Sequence, residues 1–439
     1  MPQRVIVGLG ETGLSVARHL HRLGQPFAVV DSRAEPPGRA ELAALDSAVQ
    51  VHLGDLDTPW LTAAGEIVLS PGLSPELPQI RAAREAGVEV VGDIELFARA
   101  ADAPVIAITG SNGKSTVTAL VGEMARAAGI EVGVGGNIGT PALDLLTRPH
   151  ELFVLELSSF QLETTRSLAP RAAVILNISA DHLDRHSNLD RYAAAKARIY
   201  AQAACRIANR DDARVRALAG PDAISFGLDR PPREADYGLI EEADGLWLAR
   251  GRQRLLAADA LQVAGRHNLA NVLAALALAE QAGIPQPAAL EAARRFTGLP
   301  HRCRLVAEHG GVRWYNDSKG TNVGATVAAI EGLGRPLVLL AGGLGKGQDF
   351  APLASALRGR ARAVLLFGEA AGEMAEAIGD AAPVERVGDL RQAVVRAAEL
   401  ARPGEAVLLS PACASFDQFS GFAARGEAFE QAVREVIHG

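Results

Sequence analysis

The chain has 439 residues, of which 48% are hydrophobic, 22% are charged and only 4% are aromatic, and its net charge is −7. This length predicts about two to four domains with a sizeable core. The acidic balance and the lack of a long basic run exclude a typical nucleic-acid-binding protein.

Cysteine usage and apolar patterning favour a cytoplasmic protein. Cys205, Cys303 and Cys413 lie far apart, and their spacing fits neither a disulfide framework nor a metal site. The first residues lack a signal-peptide pattern, because Gly8 and its neighbours interrupt any apolar stretch. No segment approaches ~20 apolar residues, so we expect no membrane span.

Three regions of the chain each open with an apolar strand and continue as alternating strands and helices. The first starts with RVIVG at Arg4, the second with PVIAITG at Pro104 and the third near Leu299. An Asp244-Gly245 turn predicts a hairpin late in the second region. The alternation predicts an α/β protein of three domains with mostly parallel sheets. We place the domains at residues 1–93, 94–298 and 299–439.

A G-x-G-x-x-G pattern, from Gly8 to Gly13, follows the first predicted strand. Such a turn is typical of a site for a dinucleotide or pyrophosphate. Asp31 ends the second predicted strand about twenty residues later, where a dinucleotide fold places its ribose-binding acid. On its own, this pattern leaves an NAD-dependent oxidoreductase open.

A second glycine loop lies between the strand VIAIT and the helix VTALVGEMARAAG. Its residues are Gly110, Ser111, Asn112, Gly113, Lys114, Ser115 and Thr116. Backbone N–H groups at a helix N-terminus bind phosphate, the lysine neutralises it, and the serine holds Mg²⁺. The loop is a shortened P-loop, because Ile108 stands where the standard pattern has its first glycine. These features predict an ATP site.

Polar residues follow the next predicted strands. Glu156 ends the strand FVLE beside the P-loop strand, where a Mg²⁺ ligand is expected. His182 follows the strand after it, in ADHLDRH. Together with Lys114 and Ser115 these residues indicate a metal or phosphate site. Lys196 lies in an Ala-rich helix, where the default interpretation is a solvated lysine.

Nine motifs occur in an order that resembles the Mur ligases, the ATP-dependent amino-acid ligases of peptidoglycan synthesis. They are ITGSNGKST, GGNIGTP, ELSSFQLE, ADHLDRH, AAAKARIY, GRHNLANVLAA, GLPHRCR, NDSKGTN and SPACASFDQF. The resemblance covers essentially the whole chain. GLGETGLS, the Ser70–Gly72 segment and the last two motifs resemble the members that add D-glutamate.

The resemblance implies a Rossmann-like N-terminal domain for a UDP-sugar, a central P-loop ATPase-like domain and a Rossmann-like C-terminal domain for the amino acid. It implies that ATP phosphorylates the carboxylate of UDP-N-acetylmuramoyl-L-alanine. The amine of D-glutamate then attacks the acyl phosphate, and a tetrahedral intermediate collapses to the amide. These small molecules would be the only partners of a cytoplasmic monomer, with no nucleic acid or membrane involved.

The resemblance also assigns residues to each ligand. For ATP these are the loop Gly110–Thr116 with Asn268, Asn271, Arg302 and Asp317. For the UDP-sugar they are Thr12, Gly13, Asp31, Ser32, Ser70, Pro71, Gly72, Asn137, Gln161 and His182. For D-glutamate they are Thr321, Lys346, Ser415 and Phe422. For Mg²⁺, in two sites, they are Ser115, Glu156, His182 and a carbamylated Lys196, and the catalytic residues are Lys114, His182 and Lys196.

Several alternatives stay open at this point. Another Mur ligase or a folylpolyglutamate ligase would share the ATP motifs, although a diamino-acid enzyme is expected to carry a D-N-P-R-like motif that this sequence lacks. An NAD-dependent oxidoreductase or a non-catalytic nucleotide sensor would belong to a different class. Taken alone, Asn268 fits a simple helix cap as well as an ATP ligand.

Overall fold

The computed structural model describes residues 2–263, 265–345 and 347–438, so the predicted D-glutamate residue Lys346 lies outside the described residues. Within those ranges the chain forms three sheets covered by helices, and the predicted α/β architecture with mostly parallel strands is confirmed. None of the described helices is long and apolar enough to cross a membrane.

The N-terminal sheet has the order β3-β2-β1-β4-β5, and every pairing in it is parallel. Its strands are β1 (Arg4–Val7), β2 (Ala28–Asp31), β3 (Gln50–Leu53), β4 (Glu66–Leu69) and β5 (Glu89–Val91). Its helices are α1 (Glu11–Arg22), α2 (Arg39–Leu45), α3 (Trp60–Ala63), α4 (Pro78–Glu85) and the connecting α5 (Asp93–Ala100). The strand order reverses between β1 and β4, and open α/β sheets bind ligands at such a point. Gly8 and Ser70 follow these two strands.

The central sheet has the order β14-β13-β12-β11-β10-β9-β6-β8-β7. Its strands are β6 (Val105–Thr109), β7 (Val132–Gly136), β8 (Leu152–Glu156), β9 (Ala172–Ile175), β10 (Arg206–Asn209), β11 (Ile224–Phe226), β12 (Tyr237–Glu242), β13 (Gly245–Arg250) and β14 (Gln253–Ala257). Its helices are α6 (Lys114–Ala127), α7 (Ala142–Leu145), α8 (Ser159–Glu163), α9 (Leu183–His186), α10 (Leu189–Ala197), α11 (Ala213–Ala219), α12 (Arg266–Ala282) and α13 (Gln286–Arg295). Strands β6 and β8 are buried along their whole length, as apolar strands of a covered parallel sheet are.

The C-terminal sheet has the order β15-β16-β20-β17-β18-β19, and only the β15–β16 pairing is antiparallel among its described strands. Its strands are β15 (Arg304–His309), β16 (Val312–Asn316), β17 (Leu337–Gly342), β18 (Ala361–Phe367), β19 (Val384–Arg386) and β20 (Ala406–Leu409). Its helices are α14 (Val323–Leu333), α15 (Ala351–Leu357), α16 (Ala371–Ile378), α17 (Leu390–Leu400) and α18 (Phe422–His438). Short 3₁₀ turns occur at Arg198–Tyr200, Ala258–Ala260 and Gly379–Ala381.

The predicted hairpin exists, but its turn is one residue earlier than predicted. Strands β12 and β13 pair through Glu242 and Gly245, so the turn residues are Ala243 and Asp244. Gly245 instead opens β13 with φ of +126°, a conformation that suits glycine. Strand β15 is not predicted, because its residues are mostly exposed at the sheet edge and form no apolar run.

Candidate active site

The P-loop connects β6 to α6 and places a lysine over two loop carbonyls. Gly113 has φ of +84°, and a Cβ added there would lie 2.5 Å from Oδ1 of Asn271, so only glycine fits. Nζ of Lys114 donates to the backbone oxygens of Gly110 and Ser111, both at 2.9 Å. Burial lowers the pKa of the Lys114 ammonium, and the nearby Glu156 carboxylate opposes that shift.

Glu156 carries a buried carboxylate oxygen that has no hydrogen-bond partner. Glu156 pairs with Ile108 across the β6–β8 ladder, two residues before the P-loop begins at Gly110. Its Oε1 atom accepts from Nδ2 of Asn137 at 2.7 Å, whereas Oε2 is unpartnered. An orphaned carboxylate oxygen beside a P-loop serine fits Mg²⁺, which takes oxygen ligands and keeps several waters.

A purely protein-built metal site is absent from the described part of the chain, where no three His, Cys, Asp or Glu side chains are arranged to hold an ion. A magnesium ion would therefore depend on Glu156, Ser115 and phosphate oxygens together. Oγ of Ser115 accepts a hydrogen bond from Arg302 at 2.6 Å. That bond joins the P-loop to the segment that leads into the C-terminal sheet.

Lys196 is buried, so the interpretation of it as a solvated helix lysine is wrong. Its side chain is 1% exposed, and Nζ donates to the backbone oxygen of Gly110 at 2.9 Å and to Oγ1 of Thr109 at 3.3 Å. The ammonium lies 4.6 Å from the ring centre of Tyr192. Burial, with the Lys114 charge second, holds the pKa of Lys196 well below its usual value. A neutral amine beneath the P-loop is the form that reacts with carbon dioxide.

His182 lies at the carboxyl end of β9 in a left-handed conformation, with φ of +53°. Its ring packs edge-on against Phe160 of α8, with ring centres 5.0 Å apart. Its Nε2 atom lies 3.7 Å from Oδ2 of Asp181. Asp181 also accepts a hydrogen bond from Asn322 of the C-terminal domain at 3.3 Å. The histidine loop is therefore another point where the two domains meet.

A cavity of about 390 Å³ extends from the P-loop between the central and C-terminal sheets. The predicted ATP residues Gly113, Thr116, Asn268, Asn271, Arg302 and Asp317 all line it. Asp317 is buried, which raises the pKa of its carboxyl to about 7 although Ser410 donates to it at 2.7 Å. This cavity adjoins the P-loop, so a nucleotide bound to the loop could extend into it.

A larger cleft of about 720 Å³ lies on the other side of the P-loop. The residues predicted for different ligands meet in it: Lys114, Ser115, Asn137, Glu156, His182, Thr321, Ser415 and Phe422. The central domain supplies the first five, and the C-terminal domain supplies the last three. The cleft can therefore hold a phosphate donor and an acceptor molecule between two domains.

The N-terminal residues predicted for the UDP-sugar surround the carboxyl ends of β1, β2 and β4, outside this cleft. Gly13 packs so closely that an added Cβ would lie 1.9 Å from the oxygen of Gly8. Oγ of Ser70 donates to that same oxygen at 2.8 Å. The Asp31 carboxylate accepts from N of Leu9 at 2.6 Å, so it braces the glycine loop. Thr12, Pro71, Ser32 and Gly72 are partly or fully exposed around it.

Gln161 is used inside the protein. Its Oε1 atom accepts from the backbone N and Oγ of Ser158 in a capping box that starts α8, and Nε2 donates to Asp93 at 2.9 Å. The S-x-x-Q spacing is itself a capping-box signature. The residue therefore shapes α8, which carries Phe160 against His182.

Sequence reasoning missed two basic residues, Lys319 in the site and Arg425 in the interior of the C-terminal domain. Lys319 lines both cavities, with Nζ 3.7 Å from the ring centre of Phe422. Arg425 of α18 is completely buried and donates to backbone oxygens of Ser318 and Cys413. The amino-acid composition could have pointed to Lys319. Only four of the 44 Lys and Arg residues are lysine, at positions 114, 196, 319 and 346. The three lysines that the structure describes, Lys114, Lys196 and Lys319, all lie at the site, whereas nothing local distinguishes Arg425 from a surface arginine.

Comparison with known families agrees with this geometry. The Mur ligase MurD-like N-terminal domain matches residues 2–92, the Mur ligase middle domain matches 108–279, and the Mur ligase glutamate ligase domain matches 301–413. A protein of Nitrosococcus oceani named UDP-N-acetylmuramoylalanine--D-glutamate ligase is 55% identical over 99% of this chain and 96% of its own. The chain belongs to the Mur ligase family. A Pseudomonas aeruginosa protein of the same name is 52% identical over 99% of this chain and 98% of its own.

Solved structures of Mur ligases and related ligases share the fold. The pseudomurein peptide ligase type C from Methanothermus fervidus matches with a TM-score of 0.64 at 17% identity, over 99% of this chain and all of its own. The UDP-N-acetylmuramate-alanine ligase MurC from Thermotoga maritima matches with a TM-score of 0.61 at 19% identity, over the same shares. At these identities the likeness supports the three-domain architecture alone. As a Mur ligase, the chain is an ATP-dependent amide-forming enzyme, which replaces the oxidoreductase and nucleotide-sensor alternatives.

Proposed function

We propose that this Mur ligase joins D-glutamate to UDP-N-acetylmuramoyl-L-alanine, with ATP as the energy source, in the synthesis of peptidoglycan precursors. The observation that supports it best is the 720 Å³ cleft, where the P-loop and Glu156 face Thr321, Ser415 and Phe422. Relatives at 52% to 55% identity that bear the D-glutamate ligase name support the choice of amino acid. The proposal places the reaction in the cytoplasm, in a monomer with domains at residues 1–93, 94–298 and 299–439.

The chemical problem in this reaction is negative charge. A substrate carboxylate must approach the γ-phosphate of ATP, and the acyl phosphate formed must then meet an amino acid with two carboxylates. In this proposal Lys114 neutralises the β- and γ-phosphates, and Arg302, which donates to Ser115 of the P-loop, approaches from the C-terminal domain. When bound, Mg²⁺ at Ser115 and Glu156 would neutralise further phosphate charge.

The second proposed magnesium site uses His182 and Lys196. A lysine ammonium repels a cation, but carbamylation converts the amine into a carboxylate-like group. The depressed pKa of Lys196 supports this step, because the neutral amine is the nucleophile that adds to carbon dioxide. Asn137 and His182, which line the cleft, are the proposed contacts of the acceptor sugar, and Gln161 acts there through the helix it caps.

The experiment that tests this function is phosphate release from ATP with UDP-N-acetylmuramoyl-L-alanine and one amino acid at a time. We expect turnover with D-glutamate alone. Turnover with a diamino acid, or with L-alanine and the unsubstituted sugar nucleotide, would keep the family and change the substrate. No amino-acid-dependent turnover would contradict the proposal, and NAD binding would then be tested.

Replacing Glu156 by glutamine is expected to raise the Mg²⁺ concentration needed for half-maximal activity by about 10- to 100-fold. The amide keeps the shape but loses the charge of the orphaned oxygen. The matched control is Glu123→Gln, which removes an exposed carboxylate paired with Arg126 on α6. An unchanged Mg²⁺ requirement in E156Q would contradict the assignment of Glu156 as a metal ligand.

Replacing Lys346 by alanine is expected to raise the KM for D-glutamate by about 10- to 100-fold, the cost of losing a charged hydrogen bond to a carboxylate. The KM for ATP should change less than twofold. Arg358→Ala, which removes an exposed cation from the same domain, is the control. Equal losses for both substrates would place Lys346 outside the D-glutamate pocket.

A further inference from the structure

A chain of contacts connects the glycine loop of the N-terminal domain with His182 of the central domain, and Arg185 is its middle link. Arg185 lies in α9, and its side chain is 14% exposed. Its Nη2 atom donates to the backbone oxygen of Leu73 at 3.0 Å and to Oε2 of Glu163 at 2.7 Å. Leu73 belongs to the N-terminal domain and Glu163 to α8, so one guanidinium joins two domains.

On the N-terminal side, the contact reaches the glycine loop in two steps. Leu73 closes a tight turn by donating its N–H to the oxygen of Ser70 at 3.0 Å. Ser70 donates its N–H to the oxygen of Val7 at 2.9 Å and its hydroxyl to the oxygen of Gly8 at 2.8 Å. Arg185 therefore holds the turn that supports the pyrophosphate-binding loop.

On the central side, the same guanidinium supports the surroundings of His182. It lies 4.8 Å from the ring centre of Phe160, the ring against which His182 packs. Its partner Glu163 also lies 3.5 Å from Nδ1 of His186, and Nε2 of His186 lies 3.0 Å from Oγ of Ser159. The arginine, the α8 residues and both histidines thus form one packed unit.

We propose that Arg185 is a positioning residue that fixes the distance between the glycine loop and His182. One substrate must satisfy both ends, because its pyrophosphate binds the N-terminal domain while its carboxylate reaches the P-loop. Identifying that substrate as UDP-N-acetylmuramoyl-L-alanine rests on the proposed function. Arginine suits the task, since its planar fork serves a carbonyl, a carboxylate and an aromatic face at once, which lysine cannot do.

The test compares a ligand that touches one domain with a ligand that spans two. In Arg185→Gln, we expect the Kd of UDP-N-acetylmuramoyl-L-alanine, measured by calorimetry, to rise by about 10-fold or more, the usual effect of losing a hydrogen-bonded charge. The Kd of UDP alone should stay within twofold of wild type, and so should the KM for ATP. Arg185→Lys keeps the charge and most of the side-chain length. Its Kd for UDP-N-acetylmuramoyl-L-alanine should lie between those of wild type and Arg185→Gln.

The matched control is Arg18→Gln. Arg18 of α1 donates from Nε to Oδ1 of Asp144 in α7 at 3.2 Å, so this variant also breaks an ion pair between the N-terminal and central domains, away from His182. It should leave both Kd values unchanged. Equal weakening of UDP and of the full substrate in R185Q, or the same loss in R18Q, would overturn the proposal. If wild type binds UDP-N-acetylmuramoyl-L-alanine but shows no D-glutamate-dependent turnover, that result contradicts only the proposed function, and the binding comparison still decides the role of Arg185.

Discussion

Replacing Lys114 by alanine will lower ATP-dependent turnover by at least about 10³-fold. The loss of one neutral donor to a developing oxyanion already costs about 10²- to 10³-fold, and Lys114 supplies a full charge to a site crowded with anions. Its ammonium donates to the backbone oxygens of Gly110 and Ser111. These two carbonyl oxygens hold the Lys114 ammonium within the loop that is predicted to bind phosphate.

The measurement is single-turnover phosphate release with all three substrates present. Thermal unfolding provides the control for folding, because Lys114 is only partly buried and α6 has nine buried residues that do not depend on it. We expect the unfolding temperature of Lys114→Ala to stay within a few degrees of wild type. Turnover within tenfold of wild type would contradict the role of the loop as the phosphate site.

The local part of the site was predictable from the sequence because its residues follow strands. Gly113, Lys114 and Glu156 come directly after or at the end of buried apolar runs, and parallel strands place their carboxyl ends at one edge. Strand β8, which ends in Glu156, pairs directly with the P-loop strand β6, although β7 lies between them in the sequence. The same reasoning gives the glycine loop after β1.

The contacts between domains were not predictable in this way. Arg302 reaches Ser115 across 187 positions of sequence, and Asn322 reaches Asp181 across 141. Such pairs depend on how two sheets pack, and no local pattern encodes that packing. Within the C-terminal domain Arg425 shows a similar limit, because an arginine in an Ala- and Glu-rich helix has the pattern of an exposed residue yet is completely buried.

Lys196 shows why burial changes the chemistry that a sequence suggests. Its helix, RYAAAKARIY, has the composition of a solvated helix, but Tyr192 and the P-loop cover its amine. An ammonium at 1% exposure beside the Lys114 charge is costly, so burial and that charge hold the pKa of Lys196 well below its usual value. The environment that makes the lysine a poor cation makes it a good nucleophile.

Replacing Lys196 by alanine is therefore expected to lower kcat by about 10²- to 10³-fold, and replacement by arginine should be no better. In the proposed carbamylation the amine adds to carbon dioxide, forming an N–C bond and releasing one proton. Alanine lacks the amine, and arginine stays protonated, so neither variant can form the carbamate. A short-chain carboxylate such as acetate should restore part of the activity of Lys196→Ala, because it supplies the missing negative group. It should restore no activity to Lys196→Arg.

The composition of the chain makes the carbamate itself observable. With only four lysines and the terminal amine, a carbamate signal in the ¹³C NMR spectrum of protein equilibrated with ¹³C-bicarbonate has few possible sources. We expect one slowly exchanging signal that Lys196→Arg removes and Lys319→Arg retains. A spectrum without that signal, together with a Lys196→Ala variant indifferent to carboxylates, would contradict carbamylation. Lys196 would then act as a buried amine that donates a hydrogen bond to the P-loop carbonyl of Gly110. Its replacement would then mainly lower the free energy of unfolding.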